Sequence, residues 1–259
     1  MCSNFDKSVV IFGVVIRNLS TQEAIADIEH IFNHWKSRAH SIYIVNAHTL
    51  NLVYEDPYYK NVILSADRVL ADGTGVRWAA WNRGIHMRDN LVGTDLIPLL
   101  FASTAGRGYR YYLLGSDEET VKRAANYATD AYPGWELAGF HNGYINIDSV
   151  AQVIEAINNS NAQLLLVGMG NPTQELWIHT YLDQLHVPVC IGVGGLFDHW
   201  GGNLRRAPLW VRKLGYEWLQ LLVQQPYKWR RYILGNPKYL FRVVRELPRD
   251  RRLNREMNG

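Results

Sequence analysis

The sequence predicts an α/β protein: a Rossmann-like, mostly parallel sheet with helices on both faces, followed by a basic helical appendage. Short apolar runs alternate with segments of helical periodicity throughout residues 8–197. These runs are continuously apolar, which is typical of parallel strands covered on both faces. No further strand pattern follows Gly202, where basic and aromatic residues are interleaved instead.

The predicted strands and helices alternate along the chain. A first strand at 8–16 precedes a helix that opens at Ser20, which has capping-box spacing to Glu23. Later strands are predicted at 41–46, 68–72, 109–115, 135–140, 163–168 and 187–193. Helices are predicted between them at 94–105, 118–131, 149–158 and 172–185.

The end of the chain differs from the rest in charge. Residues 203–259 carry 14 Lys and Arg against 4 Asp and Glu, whereas the first 202 residues carry 13 against 20. Three helix-like pieces follow one another here, separated by Pro226, Gly235 and Pro237. We therefore predict a sheet domain at 1–200 and a basic, aromatic-rich helical appendage at 201–259.

Composition argues against several classes of protein. Cys2 and Cys190 are too few for a disulfide framework or a cysteine zinc cluster. The apolar run at 9–16 is too short for a signal peptide, and no run approaches the roughly 20 residues of a membrane span. No Asp-x-Asp motif and no Gly-x-Ser-x-Gly elbow occur, so neither a metal site nor a serine hydrolase is expected. A cytoplasmic protein is predicted.

Polar residues and glycines collect where the predicted strands end. The carboxyl ends of parallel strands meet at one edge of a sheet, where helix N-termini also point and ligands bind. The sequence therefore predicts a pocket at this edge. The stretches concerned are Asn46-Ala47-His48, Asp72-Gly73-Thr74-Gly75, Gly115-Ser116-Asp117, Gly170-Asn171-Pro172-Thr173-Gln174-Glu175 and Gly194-Gly195-Leu196-Phe197-Asp198.

Each stretch also has a purely structural interpretation. Asp72 ends an apolar strand and is either the N-cap of the next helix or a catalytic carboxylate at the mouth of a site. Asn171 before Pro172 is a good N-cap. The glycines at 192–195 form either a simple turn or a backbone that approaches a diphosphate. His48 is either a helix-start residue or a ligand-binding group.

Several longer blocks resemble one protein family. The blocks are ADGTG (71–75), VGTDL (92–96), YLLGS (112–116), GYI (143–145), LLVGMGNPTQELW (165–177), GVGGLFD (192–198) and RRAPLWVRKLGYEWL (205–219). Their order and spacing are similar to those of the WecG/TagA/CpsF family, over nearly the whole chain. The resemblance implies a bacterial glycosyltransferase of cell-surface polymer synthesis, with 1–200 as its catalytic domain.

The resemblance also implies a reaction and a set of residues. A sugar passes from a UDP-sugar to a polyprenyl-diphosphate-linked saccharide, with inversion and without a bound metal or other cofactor. Asp72 matches the family's proposed base, Gln174 and Asn46 its pocket residues, and Asp198 an aspartate associated with the nucleotide. Asp72, Gln174 and Asn46 are the expected catalytic residues, with Gln174 and Asn46 holding the sugars. Further substrate-binding residues expected around them are His48, Gly73, Arg88, Asn90, Thr94, Asp95, Gly115, Ser116, Asn171, Gly194, Gly195, Lys228 and Arg231.

This chain departs from the teichoic-acid branch of the family at several positions. Ile44 stands in place of a threonine, Asn90 in place of an arginine for which nearby Arg88 is a candidate substitute, and Leu221 in place of a basic residue. The identity of the transferred sugar therefore stays open between a hexose and an N-acetylhexosamine.

The basic and aromatic composition of the appendage predicts a second partner, an anionic membrane surface. Lys and Arg side chains are attracted to anionic lipid, and Trp and Tyr favour the lipid–water boundary. We expect a peripheral protein at the cytoplasmic face of the membrane; self-association is left open. The aromatic residues concerned are Trp210, Tyr216, Trp218, Tyr227, Trp229 and Tyr232.

Two other functions fit the sequence less well. A nucleic-acid-binding module would explain the basic tail but not the glycine-rich strand ends, and no nucleic-acid motif is present. A Rossmann-type oxidoreductase would need Gly-x-Gly-x-x-Gly after its first strand, where this chain has Arg17-Asn18-Leu19. No nucleic-acid partner is expected.

Overall fold

A six-stranded parallel sheet carries the candidate site. The computed structural model describes residues 8–208, 210–211 and 217–258. The predicted α/β class is confirmed, and each strand of this sheet lies within one or two residues of its predicted position. The strands are β3 (His40–Val45), β4 (Arg68–Ala71), β5 (Arg110–Gly115), β6 (Glu136–His141), β7 (Leu164–Gly168) and β8 (Val189–Gly192). Their order across the sheet is β4-β3-β8-β7-β5-β6.

Helices cover both faces of the sheet, and each face has its own apolar core. Helix α1 has the predicted capping box between Ser20 and Glu23. The helices of this part are α1 (Thr21–His34), α2 (Ala47–Glu55), α3 (Pro57–Leu64), α4 (Thr74–Trp81), α5 (Gly93–Ser103), α6 (Glu118–Ala131), α7 (Val150–Asn159), α8 (Thr173–Tyr181) and α9 (Leu196–Trp200).

The predicted first strand is wrong in one respect: it is a hairpin outside the parallel sheet. Ser8–Ile11 (β1) pairs antiparallel with Val14–Arg17 (β2). Phe12 and Gly13 both have positive φ, 55° and 81°, as a tight two-residue hairpin turn requires. Phe12 nevertheless packs its buried ring against Tyr54 and Tyr239, so the apolar run continues through the turn and conceals it.

The order of the strands creates a crevice at their carboxyl ends. Strand β8 lies between β3 and β7. The helices that follow β3 and β7, α2 and α8, lie on one face, whereas α9 after β8 lies on the other. Neighbouring strands whose helices leave to opposite faces open a crevice between them, where ligands of α/β proteins bind.

The end of the chain is helical, with one difference from the prediction. After α10 (Glu217–Gln224), a short 3₁₀ turn (Pro226–Lys228) and a π-helical turn (Arg230–Leu234) run directly into α11 (Gly235–Asn258). The expected break at Gly235 and Pro237 is absent. Proline is tolerated there because it lies in the first turn of α11, where its missing N–H costs least. Tyr216 lies outside the described residues, and no described helix is long and apolar enough to cross a membrane.

Helix α11 packs into the body of the protein. Asp250, fully buried, pairs with the guanidinium of buried Arg83 and accepts the Phe12 N–H at 3.0 Å. Asn254 bonds both the N–H and the carbonyl of Val10, at 2.7 and 3.0 Å. The last helix is therefore fastened to the hairpin and to the end of α4.

Candidate active site

Asp72 stands directly after β4, and its backbone N–H donates to the Val45 carbonyl of β3 at 2.8 Å. The following helix, α4, has Gly73 as its N-cap and no side-chain capping bond. The capping interpretation of Asp72 is therefore wrong. Its half-buried carboxylate faces the strand ends instead, where the Asn46 side chain bonds to it.

The surroundings of Asp72 adjust its basicity. Burial, with a smaller contribution from the charge of Glu217, raises the pKa of Asp72, which settles at about 6. The hydrogen bond from Asn46 and the charges of Arg231 and Arg206 act in the opposite direction. A carboxylate of this kind is ionised at pH 7 and still basic enough to accept a proton during a reaction.

Asn46 connects Asp72 to helix α2. Its side-chain oxygen accepts the N–H groups of His48 and Thr49 at 3.0 and 3.2 Å, which caps the helix. Because the oxygen is committed to the cap, the amide nitrogen is the atom that donates to Asp72. The paired ends of β3 and β4 place Asn46 and Asp72 side by side.

The loop after Asp72 is held from two sides. Asn90 accepts the Gly73 N–H at 2.6 Å, and Gly73 has a φ of 90°, which favours glycine. On the other side, the Tyr239 hydroxyl of α11 donates to the Gly75 carbonyl at 3.3 Å. A Cβ at Gly75 would lie 3.1 Å from that of Ala47, so small residues let the starts of α2 and α4 approach.

Basic side chains of the appendage reach this strand edge. Burial, together with the charges of Arg231 and Lys228 and against the charge of Glu55, lowers the pKa of His48 to about 4, so the imidazole is neutral. Burial and the charge of Arg231 also lower the pKa of Lys228, while the charge of Asp198 raises it. These side chains therefore lie close enough to interact, and they make the crevice a favourable place for an anion.

Arg206 is a residue that the sequence reasoning missed. Its guanidinium contacts Thr94, bonds Asp95 at 2.6 Å and lies 3.3 Å from Glu217. It thus joins the start of α5 to α10 beside Asp72. The block that contains it was recognised as family-like, but nothing in the spacing of 205–219 indicates its partners.

The side chain of Gln174 lies inside the protein rather than in the open crevice, 1% exposed. Its nitrogen donates to Glu175 at 2.7 Å, and its oxygen accepts the Gly194 N–H at 2.9 Å. The amide of Asn171 also donates to Glu175, at 2.6 Å, and does not cap α8. Gly194 therefore already has a partner for the N–H that a diphosphate was expected to use.

The remaining predicted residues lie at the same edge. Ser116 has a φ of 57°; its N–H donates to Gly168 at 3.0 Å and its carbonyl accepts from Gly143 at 2.8 Å. A Cβ at Gly115 would lie 2.4 Å from the Gly168 carbonyl oxygen. The loops after β5, β6 and β7 are thus packed backbone to backbone.

Asp198 lies near the start of α9, just beyond Gly195, which precedes the helix. Its carboxylate accepts a long hydrogen bond from Asn203 at 3.4 Å, and its charge reaches Lys228. The aspartate therefore belongs to the same crevice as the basic residues of the appendage.

Arg88 lies apart from these residues. Its guanidinium pairs with Glu23 at the start of α1, and it lines a groove of about 810 Å³ that includes Arg68. Arg68 begins β4 and Asp72 follows its end, so at about 3.3 Å per residue they are roughly 13 Å apart. Asp72 is not among the residues that line this groove.

No group of three or more His, Cys, Asp or Glu side chains among the described residues is arranged to hold a metal ion. His30 and His34 on α1 lie one turn apart, with ring centroids 4.1 Å apart, and both are exposed. No third ligand from the described part of the chain joins this pair.

Comparison with known proteins agrees with the resemblance inferred from the motifs. The family model for the glycosyl transferase WecG/TagA/CpsF family matches residues 9–253. An N-acetylglucosaminyldiphosphoundecaprenol N-acetyl-beta-D-mannosaminyltransferase of Bacillus subtilis strain 168 is 30% identical over 202 residues, 78% of each chain. A protein of the same name from Staphylococcus aureus strain MW2 is 27% identical over 239 residues, 92% of each chain. The chain belongs to the WecG/TagA/CpsF family of glycosyltransferases.

Proposed function

We propose that this protein is an inverting glycosyltransferase that moves a hexose or N-acetylhexosamine from a UDP-sugar to a polyprenyl-diphosphate-linked saccharide. The product would enter an exopolysaccharide or a cell-wall polymer. The observation that carries the proposal is Asp72: a carboxylate with a pKa near 6, bonded to Asn46 at the mouth of the crevice.

In the proposed reaction Asp72 is the base. The acceptor hydroxyl oxygen attacks C1 of the donor sugar from the face opposite UDP, and its proton passes to the Asp72 carboxylate. The bond from C1 to the diphosphate oxygen breaks, and its electron pair leaves with UDP. A rigid carboxylate at the end of a buried strand suits this step, because its position costs little entropy to maintain.

The departing UDP gains negative charge, which needs partners. The charges of Lys228 and Arg231 both act on His48, and Asp198 acts on Lys228, so these cations lie near the crevice. Fixed cations aimed at a developing charge are an effective form of catalysis. We propose that they serve here, with no metal ion required by the mechanism.

The relatives support the acceptor class more strongly than the donor. Their names specify an acceptor on diphosphoundecaprenol and transfer of N-acetylmannosamine. By analogy, the acceptor of this chain is a saccharide on a polyprenyl diphosphate. Ile44 and Asn90 differ from the expected motif, so the donor sugar is left between the two classes named above.

A lipid-linked acceptor requires that the enzyme work at a membrane surface, and we propose peripheral attachment through the appendage at its cytoplasmic face. Exposed apolar side chains of the appendage support this proposal, because they lie among Lys and Arg residues as anionic lipid would require. They include Trp210, Val223, Tyr227, Phe241 and Val244, each more than half exposed.

The test is UDP release from a panel of UDP-sugars in the presence of polyprenyl-diphosphate-linked saccharides. Release that depends on the lipid acceptor supports the proposal. Lack of acceptor-dependent release with every UDP-hexose and UDP-N-acetylhexosamine would overturn it. A nicotinamide absorbance assay run beside it detects an oxidoreductase instead.

A further inference from the structure

Glu175 is a fully buried carboxylate for which the proposed mechanism has no use. Its Oε1 accepts from Asn171 at 2.6 Å and from Gln174 at 2.7 Å, and its Oε2 accepts the Tyr59 hydroxyl at 3.0 Å. The residue is 0% exposed, and burial raises its pKa to about 7. Buried carboxylates are costly, so this arrangement of donors needs an explanation.

The explanation lies in the amide of Gln174. Its nitrogen faces Glu175, and its oxygen therefore faces Gly194, whose N–H it accepts at 2.9 Å. If the amide were turned over, its oxygen would oppose the carboxylate and its NH₂ would oppose the Gly194 N–H. Glu175 thus selects the one orientation in which Gln174 can anchor Gly194.

Gly194 belongs to the loop that leads from β8 into α9, which carries Asp198. The loop also rests on Gln174 at Gly192, where a Cβ would lie 2.7 Å from the amide nitrogen. On its other side, a Cβ at Gly93 would lie 3.6 Å from the Val193 carbonyl. A change in the orientation of the Gln174 amide would therefore shift the backbone of the loop that leads to Asp198.

We infer that Glu175 is a positioning residue for the donor-binding half of the site: through Gln174 it holds residues 193–198, the loop after β8 and the first turn of α9, which place Asp198 toward the nucleotide of the donor. We call the chain of hydrogen bonds from Glu175 through Gln174 to Gly194 the lock; it exists in the free protein, without substrate. Its effect on donor binding rests on the proposed function.

Two substitutions of similar volume separate the lock from simple packing. Glu175→Met removes both acceptor oxygens. Glu175→Gln retains one oxygen for Asn171 and Gln174, and its NH₂ can donate to the Tyr59 hydroxyl oxygen. A space-filling role predicts that both variants behave like the parent; the lock predicts that only Glu175→Gln does. Glu155→Met, at an exposed position of α7, is the control.

The lock is measured first without substrate, by amide hydrogen exchange of the peptide that contains Gly194. We expect faster exchange there in Glu175→Met, with Glu175→Gln and Glu155→Met close to the parent. Unchanged exchange in a folded Glu175→Met would overturn the lock. If that variant does not fold, Gln174→Met removes the acceptor of the Gly194 N–H directly; it should raise exchange of the same peptide, and no rise would overturn the inference.

The functional part is measured as the KM for the UDP-sugar in a double-mutant cycle with Gln174→Met. Displacing a group that binds substrate weakens binding roughly tenfold or more. We therefore expect the KM for the UDP-sugar to rise at least tenfold in Glu175→Met, while the KM for the lipid-linked acceptor changes little. Because Glu175 acts through Gln174, the double variant should be no worse than Gln174→Met alone. Additive effects on donor KM would overturn this part. Absence of any transfer by the parent defeats the proposed function, whereas the exchange result still decides the lock.

Discussion

Asn46 bonds to Asp72 with the same amide group whose oxygen caps helix α2. One side chain therefore both begins a helix and opposes the effect of burial on a neighbouring carboxylate. Because Asn46 follows β3 and Asp72 follows β4, and these strands are paired along their length, the distance between the two groups is set by the sheet rather than by a loop.

The first prediction concerns the proton acceptor itself. Asp72→Asn preserves the shape of the side chain but cannot accept the acceptor's proton, so kcat should fall by at least about 100-fold. Donor binding, measured separately by titration with UDP-sugar, should change little. Asp130→Asn, at an exposed position of α6, is the matched control. Near-normal turnover by Asp72→Asn would remove Asp72 from the role of base.

The second prediction is a pH dependence that Asn46 controls. With the pKa of Asp72 near 6, kcat/KM should fall as the pH drops below about 6, because the protonated carboxyl cannot act as a base. Asn46→Ser retains a good N-cap for α2 but loses the amide donor to Asp72. Since that hydrogen bond lowers the pKa, the acid limb of the profile should move to higher pH. A limb that stays in place would contradict the assignment.

Much of the sheet could be predicted because its strands are apolar throughout and stop at glycine or polar residues. The convergence of Asn46, Asp72 and Asp198 at one edge followed from parallel topology alone. The hairpin could not be predicted in the same way. Phe12 is apolar and buried, so the run at 8–16 shows no sign of the turn that its positive φ creates.

The roles of individual polar groups were less predictable than their positions. Gln174 was expected to face the sugars, yet both of its polar atoms are engaged inside the protein. Both Gln174 and Glu175 are enclosed, and one partner of Glu175 is Tyr59, from a helix distant in the sequence. Likewise, the contacts of Arg206 with Asp95 and Glu217 depend on how the appendage folds back, which local patterns do not encode.

The third prediction follows from the buried carboxyl of Glu175. Its pKa in the folded protein, about 7, exceeds the ordinary value of 4.5, so between these values the folded state binds more protons than the unfolded state. Stability should therefore fall as the pH rises through this range, by up to about 3 kcal/mol from this group. Glu175→Gln should lack this component. Urea unfolding of both proteins at pH 5 and pH 8 measures it; parallel losses in parent and variant would contradict the prediction.

The fourth prediction concerns the attachment of α11. Asp250→Ala leaves Arg83 charged and buried, and removes the acceptor of the Phe12 N–H, so unfolding free energy should fall by about 3–5 kcal/mol. Glu256→Ala, which breaks an exposed pair with Arg252 at 3.8 Å, should cost less than about 1 kcal/mol. Equal effects in the two variants would show that the helix is not fastened through Asp250.

The fifth prediction separates membrane attachment from folding. Truncation at residue 200 would also remove Tyr239 and Asp250, both buried in the body, so point substitutions are the cleaner test. Tyr227→Ser combined with Phe241→Ser removes two aromatics that are 72% and 67% exposed. Because each such ring contributes about 1.5 kcal/mol or more when buried, sedimentation with phosphatidylglycerol vesicles should weaken at least tenfold.

Tyr58→Ser combined with Trp81→Ser, both 60% exposed on the body, should sediment like the parent. Binding should also decline with added salt, since the basic residues are screened. Equal sedimentation of both double variants would show that the appendage is not the membrane-binding surface.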